Sequence, residues 1–79
     1  MENNVKIKPI VLQTGHRLYF NIGQVVYLKT DKEQIDRIVT GIMLRPNRSV
    51  TYCLSLGAIE SWHYALEIDD EKDIVKTTT

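Results

Sequence analysis

Between Val50 and Ile68, large apolar side chains recur at even-numbered positions. Val50, Tyr52, Leu54 and Leu56 alternate with Thr51, Cys53 and Ser55. Trp62, Tyr64, Leu66 and Ile68 then alternate with Ser61, His63, Ala65 and Glu67. Successive strand residues point to opposite faces, so this pattern predicts one apolar and one small or polar face. A half-buried antiparallel sheet follows, with Trp62, Tyr64 and Leu66 expected inside it beside Tyr52 and Leu54.

The rest of the chain reads as further short strands. Residues 5–12 form an extended segment with Val5, Ile7 and Val11 on one face, and Pro9 sends it to an edge or interrupts it. Residues 13–16 are a turn. Leu18, Phe20 and Ile22 continue the even-numbered stripe up to a bend at Gly23, and residues 25–29 are a β-branched and aromatic strand. Residues 30–34 are polar and turn-rich.

Residues 35–44 carry a helical spacing in Ile35, Ile38, Val39 and Ile42. β-branched side chains, Thr40 and Gly41 favour a strand instead, central or bent by a bulge near Gly41. A turn at residues 46–49 leads into the strand over residues 50–56. A turn at Gly57, a strand over residues 60–64 and a short segment over residues 66–68 complete the body. Residues 69–79 form a polar, acidic tail, either a short helix or frayed.

With 79 residues the chain makes one small domain with a thin core at residues 5–68. Five or six short antiparallel strands without a confident helix fit a small barrel or β-roll, which removes exposed edges. One cysteine excludes an intramolecular disulfide, and two histidines with it cannot close a four-ligand zinc site. No signal peptide and no long apolar run are visible, so a cytoplasmic setting without membrane contact is expected. No cofactor is expected either.

Formal net charge is zero, but its distribution is uneven. Eight basic residues (6, 8, 17, 29, 32, 37, 45, 48) and four acidic ones precede Ile59, whereas the rest holds two basic and six acidic residues. This asymmetry fits a basic surface with an acidic tail, or simply solvated charge.

The stretch Phe20-Asn21-Ile22-Gly23-Gln24-Val25-Val26-Tyr27-Leu28 resembles the opening of small Src-homology-3-like barrels. Residues 37–42 resemble their second long strand, and Tyr52-Cys53-Leu54, Trp62-His63-Tyr64 and Glu67-Ile68 their closing strands. Over residues 20–73 the chain is similar to short, uncharacterised bacteriophage and prophage proteins. The resemblance implies a β-barrel accessory protein, cytoplasmic or a virion component. It supplies no catalytic motif, and the strand over residues 5–12 departs from the minimal five-stranded barrel.

Candidate chemistry is sparse. Cys53 and His63 share the predicted minor face, but a reactive thiol needs an oriented base and an electropositive setting. Asp69, Asp70, Glu71 and Asp73 lack the glycine and terminal glutamate of a calcium loop. No nucleotide-binding loop or nucleophile elbow is present, so no enzyme is expected.

The leading expectation is a non-catalytic protein-binding module. Its candidate contacts are Tyr19, Tyr27, Asp31, Glu33, Asn47 and Arg48, with self-association through an edge strand as a further route. The alternative is a nucleic-acid-binding barrel using Lys6, Lys8, Arg17, Lys29, Arg37, Arg45 and Arg48 around exposed tyrosines. Zero net charge weighs against it.

Overall fold

A computed structural model describes residues 9–72. The expectations for Val5, Lys6, Ile7 and Lys8, and for the tail from residue 73 onward, lie outside the described residues. Among the described residues seven strands run in chain order: β1 (Ile10–Val11), β2 (Arg17–Leu18), β3 (Val25–Leu28), β4 (Arg37–Leu44), β5 (Val50–Leu56), β6 (Ile59–Tyr64) and β7 (Ile68–Asp69). Single 3-10 turns at Pro46–Arg48 and Ala65–Glu67 separate β4 from β5 and β6 from β7. β1 and β2 form a two-stranded sheet, and the others lie in the order β6-β5-β4-β3-β7.

The fold is therefore all-β, with every described pairing antiparallel. The larger sheet ends at β6 on one side and β7 on the other, and the described strands do not bond into a closed ring.

Residues 37–44 are a strand, as their β-branched content predicts, and the register slips between Val39 and Gly41. Thr40 is the extra residue of that bulge. Its hydroxyl lies 3.3 Å from the Cys53 carbonyl and 3.4 Å from the Glu60 carboxylate, both acceptors.

The core is gathered by one face of the sheet. Phe20, Val26, Val39, Val50, Tyr52, Leu54 and Ile68 form a single buried cluster, with Leu18, Leu28, Ile42 and Ala65 packed against it. Phe20 meets Tyr52 edge to face, with ring centroids 5.2 Å apart. That geometry suits the aromatic quadrupole. Ile22, expected on the inner stripe, is exposed.

The expected burial of Trp62, Tyr64 and Leu66 is overturned: they are 49%, 45% and 84% exposed. The cause is the hairpin. Leu56 pairs with Ile59 across the two-residue turn Gly57-Ala58, so Cys53 faces Trp62 and Thr51 faces Tyr64. Directly paired residues share a face of the sheet, so the inward set changes from even to odd on entering β6. Ser61 and His63 take the core side, and the two aromatic rings take the other.

Leu66 sits in the 3-10 turn rather than in a strand, and the parity resets so that Ile68 is buried. Trp62 lies across Gly41, where an added Cβ would stand 3.3 Å from its Cη2. The ring thus covers Gly41 and Cys53, and the second face also exposes Ile38, Met43 and Tyr64.

Candidate functional site

Three contacts fasten the β1–β2 hairpin over one end of the larger sheet. The Tyr19 amide donates to the buried Tyr52 hydroxyl at 3.0 Å. His16 Nε2 lies 2.7 Å from the Arg45 carbonyl, which only accepts, so Nε2 carries a proton. In the neutral ring, the Thr14 hydroxyl then donates to Nδ1 at 2.6 Å. Gly15, at φ +91°, lets Arg48 pass close by, since a Cβ there would meet Arg48 Nε at 3.0 Å. Asn47 and Arg48 hold left-handed backbone (φ 62° and 64°), which turns the chain sharply between β4 and β5.

Between this hairpin, that turn and the segment after β6 lies a pocket of about 570 Å³, within the range of small-ligand sites. Val11, Val50, Ala65 and Leu66 supply apolar lining. The partly exposed Tyr19 and Tyr64, together with Arg17 and Arg48, complete the lining. Neither guanidinium has an acceptor among the described residues. An apolar cleft with two unneutralised arginines suits an apolar or aromatic group joined to an anion, because arginine grips a carboxylate or phosphate in a bidentate fork.

The structure divides the candidate residues. Tyr19 and Arg48 of the protein-binding set meet Arg17 of the nucleic-acid set in the pocket. Asn47 lies beside it in the turn, and Arg45 caps the hairpin through its carbonyl.

Tyr27 is elsewhere, on β3 opposite Asp69 of β7, with the Lys72 ammonium 5.7 Å from its ring centroid. Lys29 stands 3.9 Å from Asp69, and Arg37 stands 3.8 Å from Asp31. Glu33 is an exposed loop residue whose amide donates to Asp31 at 3.0 Å. Asp31 also accepts from the Ile35 amide at 3.1 Å. That bond leads the influences holding its carboxyl below the usual aspartate range, with the Arg37 charge a lesser one. Asp31 thus organises its own loop.

Tyr64, Leu66 and Val11 were not among the sequence-derived candidates. The two-residue hairpin turn is the signal that exposes Tyr64. Nothing in the local pattern exposes Leu66, which depends on the 3-10 turn.

Cys53 and His63 lie on opposite faces of the sheet, because Cys53 pairs with Trp62 and Tyr52 with His63. Their sharing of one face is overturned. His63 is instead oriented by Glu67, with Nδ1 2.7 Å from Oε1, while the Ser61 hydroxyl lies 2.6 Å from Nε2. Glu67 also accepts from the Tyr64 amide at 3.3 Å. The His63 bond is the main cause of a Glu67 carboxyl held below the usual glutamate range.

This Ser61–His63–Glu67 chain has the order of a nucleophile, base and orienting acid. None of the three lines the pocket. Its evident effect is to tie β6 to the 3-10 turn that forms the pocket's Leu66 wall. Among the described residues, no group of three or more His, Cys, Asp or Glu is placed to hold a metal ion, and no helix is long and apolar enough to cross a membrane. No family model, no curated protein and no solved structure matches the chain.

Proposed function

We propose that this chain is a non-catalytic protein-binding module that receives a peptide segment of a partner in the Tyr19–Tyr64 pocket. The observation that carries this reading is the pairing of an apolar cleft with two arginines, Arg17 and Arg48, that meet no acid among the described residues. The ligand chemistry is an aliphatic or aromatic side chain next to a carboxylate. The apolar group enters against Val11, Val50 and Leu66, and the carboxylate meets the guanidinium groups. In the finer fold reading this is a Src-homology-3-like barrel of the phage and prophage accessory type. The five-strand order, with β7 returning beside β3 after a 3-10 turn, supports that reading.

A second reading uses the same residues. A nucleic-acid base stacks on Tyr19 or Tyr64 while phosphates meet Arg17 and Arg48. It ranks lower because Lys29 and Arg37 already face acids, and polyanion affinity grows with the number of phosphates neutralised.

Selection from a library of short peptides tests the proposal. Enrichment of acidic sequences bearing a large apolar residue is expected. Affinity should fall at least about tenfold in Arg17→Ala/Arg48→Ala and in Tyr19→Ala, with the melting temperature unchanged. Peptide binding indifferent to all these changes removes the pocket from the function. Retention on single-stranded DNA or RNA that the same substitutions abolish, without peptide binding, selects the second reading.

A further inference from the structure

We propose that Ser61 is an acyl-acceptor site, a hydroxyl activated by His63 that takes a stable acyl group from an activated ester or thioester. Glu67 serves as its positioning residue. The modification is stoichiometric, and it does not depend on what occupies the pocket.

The proton positions carry the argument. The Glu67 carboxylate only accepts, so His63 Nδ1, 2.7 Å from it, carries a proton. In the neutral ring Nε2 then has none, and the Ser61 hydroxyl donates to it at 2.6 Å. Hydroxyl, imidazole and carboxylate are thus joined in the direction that draws the proton off Oγ. Glu67 is fixed in turn by the Tyr64 amide at 3.3 Å. Its carboxyl, held below the usual glutamate range chiefly by the His63 bond, stays charged at neutral pH.

A structural role explains only part of this chain. The bonds of Glu67 join β6 to the 3-10 turn, but Ser61 and His63 lie two residues apart on one strand, so their bond ties no elements together. The other two serines in the sequence use their hydroxyls differently. Ser49 donates to the Pro46 carbonyl at 2.9 Å, and Ser55 to the Gly57 carbonyl at 3.0 Å. A carbonyl oxygen accepts a hydrogen bond but does not serve as a base.

Access comes from the edge. Ser61 is partly exposed on β6, which has no described strand on its far side. Leu56 and Ile59 flank a two-residue turn in which Gly57 has φ +64° and Ala58 lies outside the positive-φ region, the pattern of a type II′ hairpin. The residues flanking such a turn exchange both main-chain hydrogen bonds, and bonded and non-bonded pairs alternate from there, so Ser61 bonds to β5. The Trp62 amide therefore points off the edge, where it offers a donor to the oxyanion of a carbonyl attacked by Ser61.

In the step itself, Oγ bonds to the carbonyl carbon as its proton passes to Nε2. The bond to the leaving alkoxide or thiolate breaks, and the imidazolium returns the proton to it. The products are O-acyl Ser61 and a free alcohol or thiol. The His63 side chain is only 16% exposed. Water has little room to be activated beside the new ester, so the acyl group stays on.

Treatment of the full chain with p-nitrophenyl acetate, with acetyl groups mapped by peptide mass spectrometry, tests the proposal. Ser61 should be acetylated about a hundredfold faster than Ser49 and Ser55, a preference lost in urea. His63→Gln and Glu67→Gln should each cut that ratio at least about tenfold with the β-sheet circular dichroism intact. A general loosening of the sheet would instead raise all three serines together. Equal labelling of the three serines in the folded chain overturns the proposal, as does a Ser61 preference that survives urea or either substitution. The comparison among serines uses the unaltered chain, so it decides the matter even where a variant fails to fold.

Discussion

Thr51 carries an unusual cost. It is buried on the outer face, paired with Met43 on one side and Tyr64 on the other, and its hydroxyl oxygen has no hydrogen-bond partner among the described residues. A hydroxyl deprived of water and of partners destabilises the folded state, whereas a methyl of similar size at that point does not. Thr51→Val is therefore expected to raise stability by about 1 kcal/mol, measured by urea denaturation. A loss of similar size would mean that the hydroxyl is satisfied. Asp31 and Glu67 act in the opposite sense. Both carboxyls are held below their usual range in the fold, by the Ile35 amide and by His63 respectively. The unfolded chain thus takes up these protons more readily than the fold. Their contribution is complete above the ordinary carboxylate range and is lost as the pH falls through the lowered folded-state values, below about pH 4. Urea midpoints followed across that window should drop less steeply in Glu67→Gln and Asp31→Asn than in the parent. Equal slopes would show that other groups govern the acid limb.

At the scale of elements, strands β3, β4 and β5 were legible because each carries its own signal. β-branched residues mark β4, the glycine in its middle marks the bulge, and alternation marks β5. What failed was the continuation of one parity across a turn. Parity is a property of a single strand, and a two-residue hairpin whose flanking positions sum to an odd number reverses it. Gly57-Ala58 fits a type II′ turn, so the inversion that exposes Trp62 and Tyr64 was present in the sequence but needed the turn to be counted. The pocket was less legible. It joins residues from β1 to the second 3-10 turn, and only Tyr19, Arg17 and Arg48 among its lining carried a local reason to be chosen. Gly57 tests this account. At φ +64° a side chain meets its own backbone, so Gly57→Ala should cost about 1–2 kcal/mol, although nothing lies within 4 Å of the added Cβ. A neutral result in thermal denaturation would mean that the turn relaxes to another type.

Across the whole molecule, the buried cluster of the described residues lies on one side of the sheet. A core this small leaves little reserve against the loss of a central side chain. Leu54 is fully buried, bonded into β5 between Val39 of β4 and Ser61 of β6. Leu54→Ala removes that packing and leaves a void, at a cost of about 2–5 kcal/mol. That is comparable to the few kcal/mol, about 3–5, that a single small core supplies. The variant should be largely unfolded at room temperature by circular dichroism. Leu66 is just as large and equally apolar, yet it stands 84% exposed at the pocket mouth. Its truncation to alanine should change stability by less than about 0.5 kcal/mol while weakening capture of the peptides selected on the parent. The contrast separates leucines that hold the sheet from leucines that serve a partner. Were Leu66→Ala to melt early, the 3-10 turn would belong to the core, and the pocket would lose one of its walls as a binding surface.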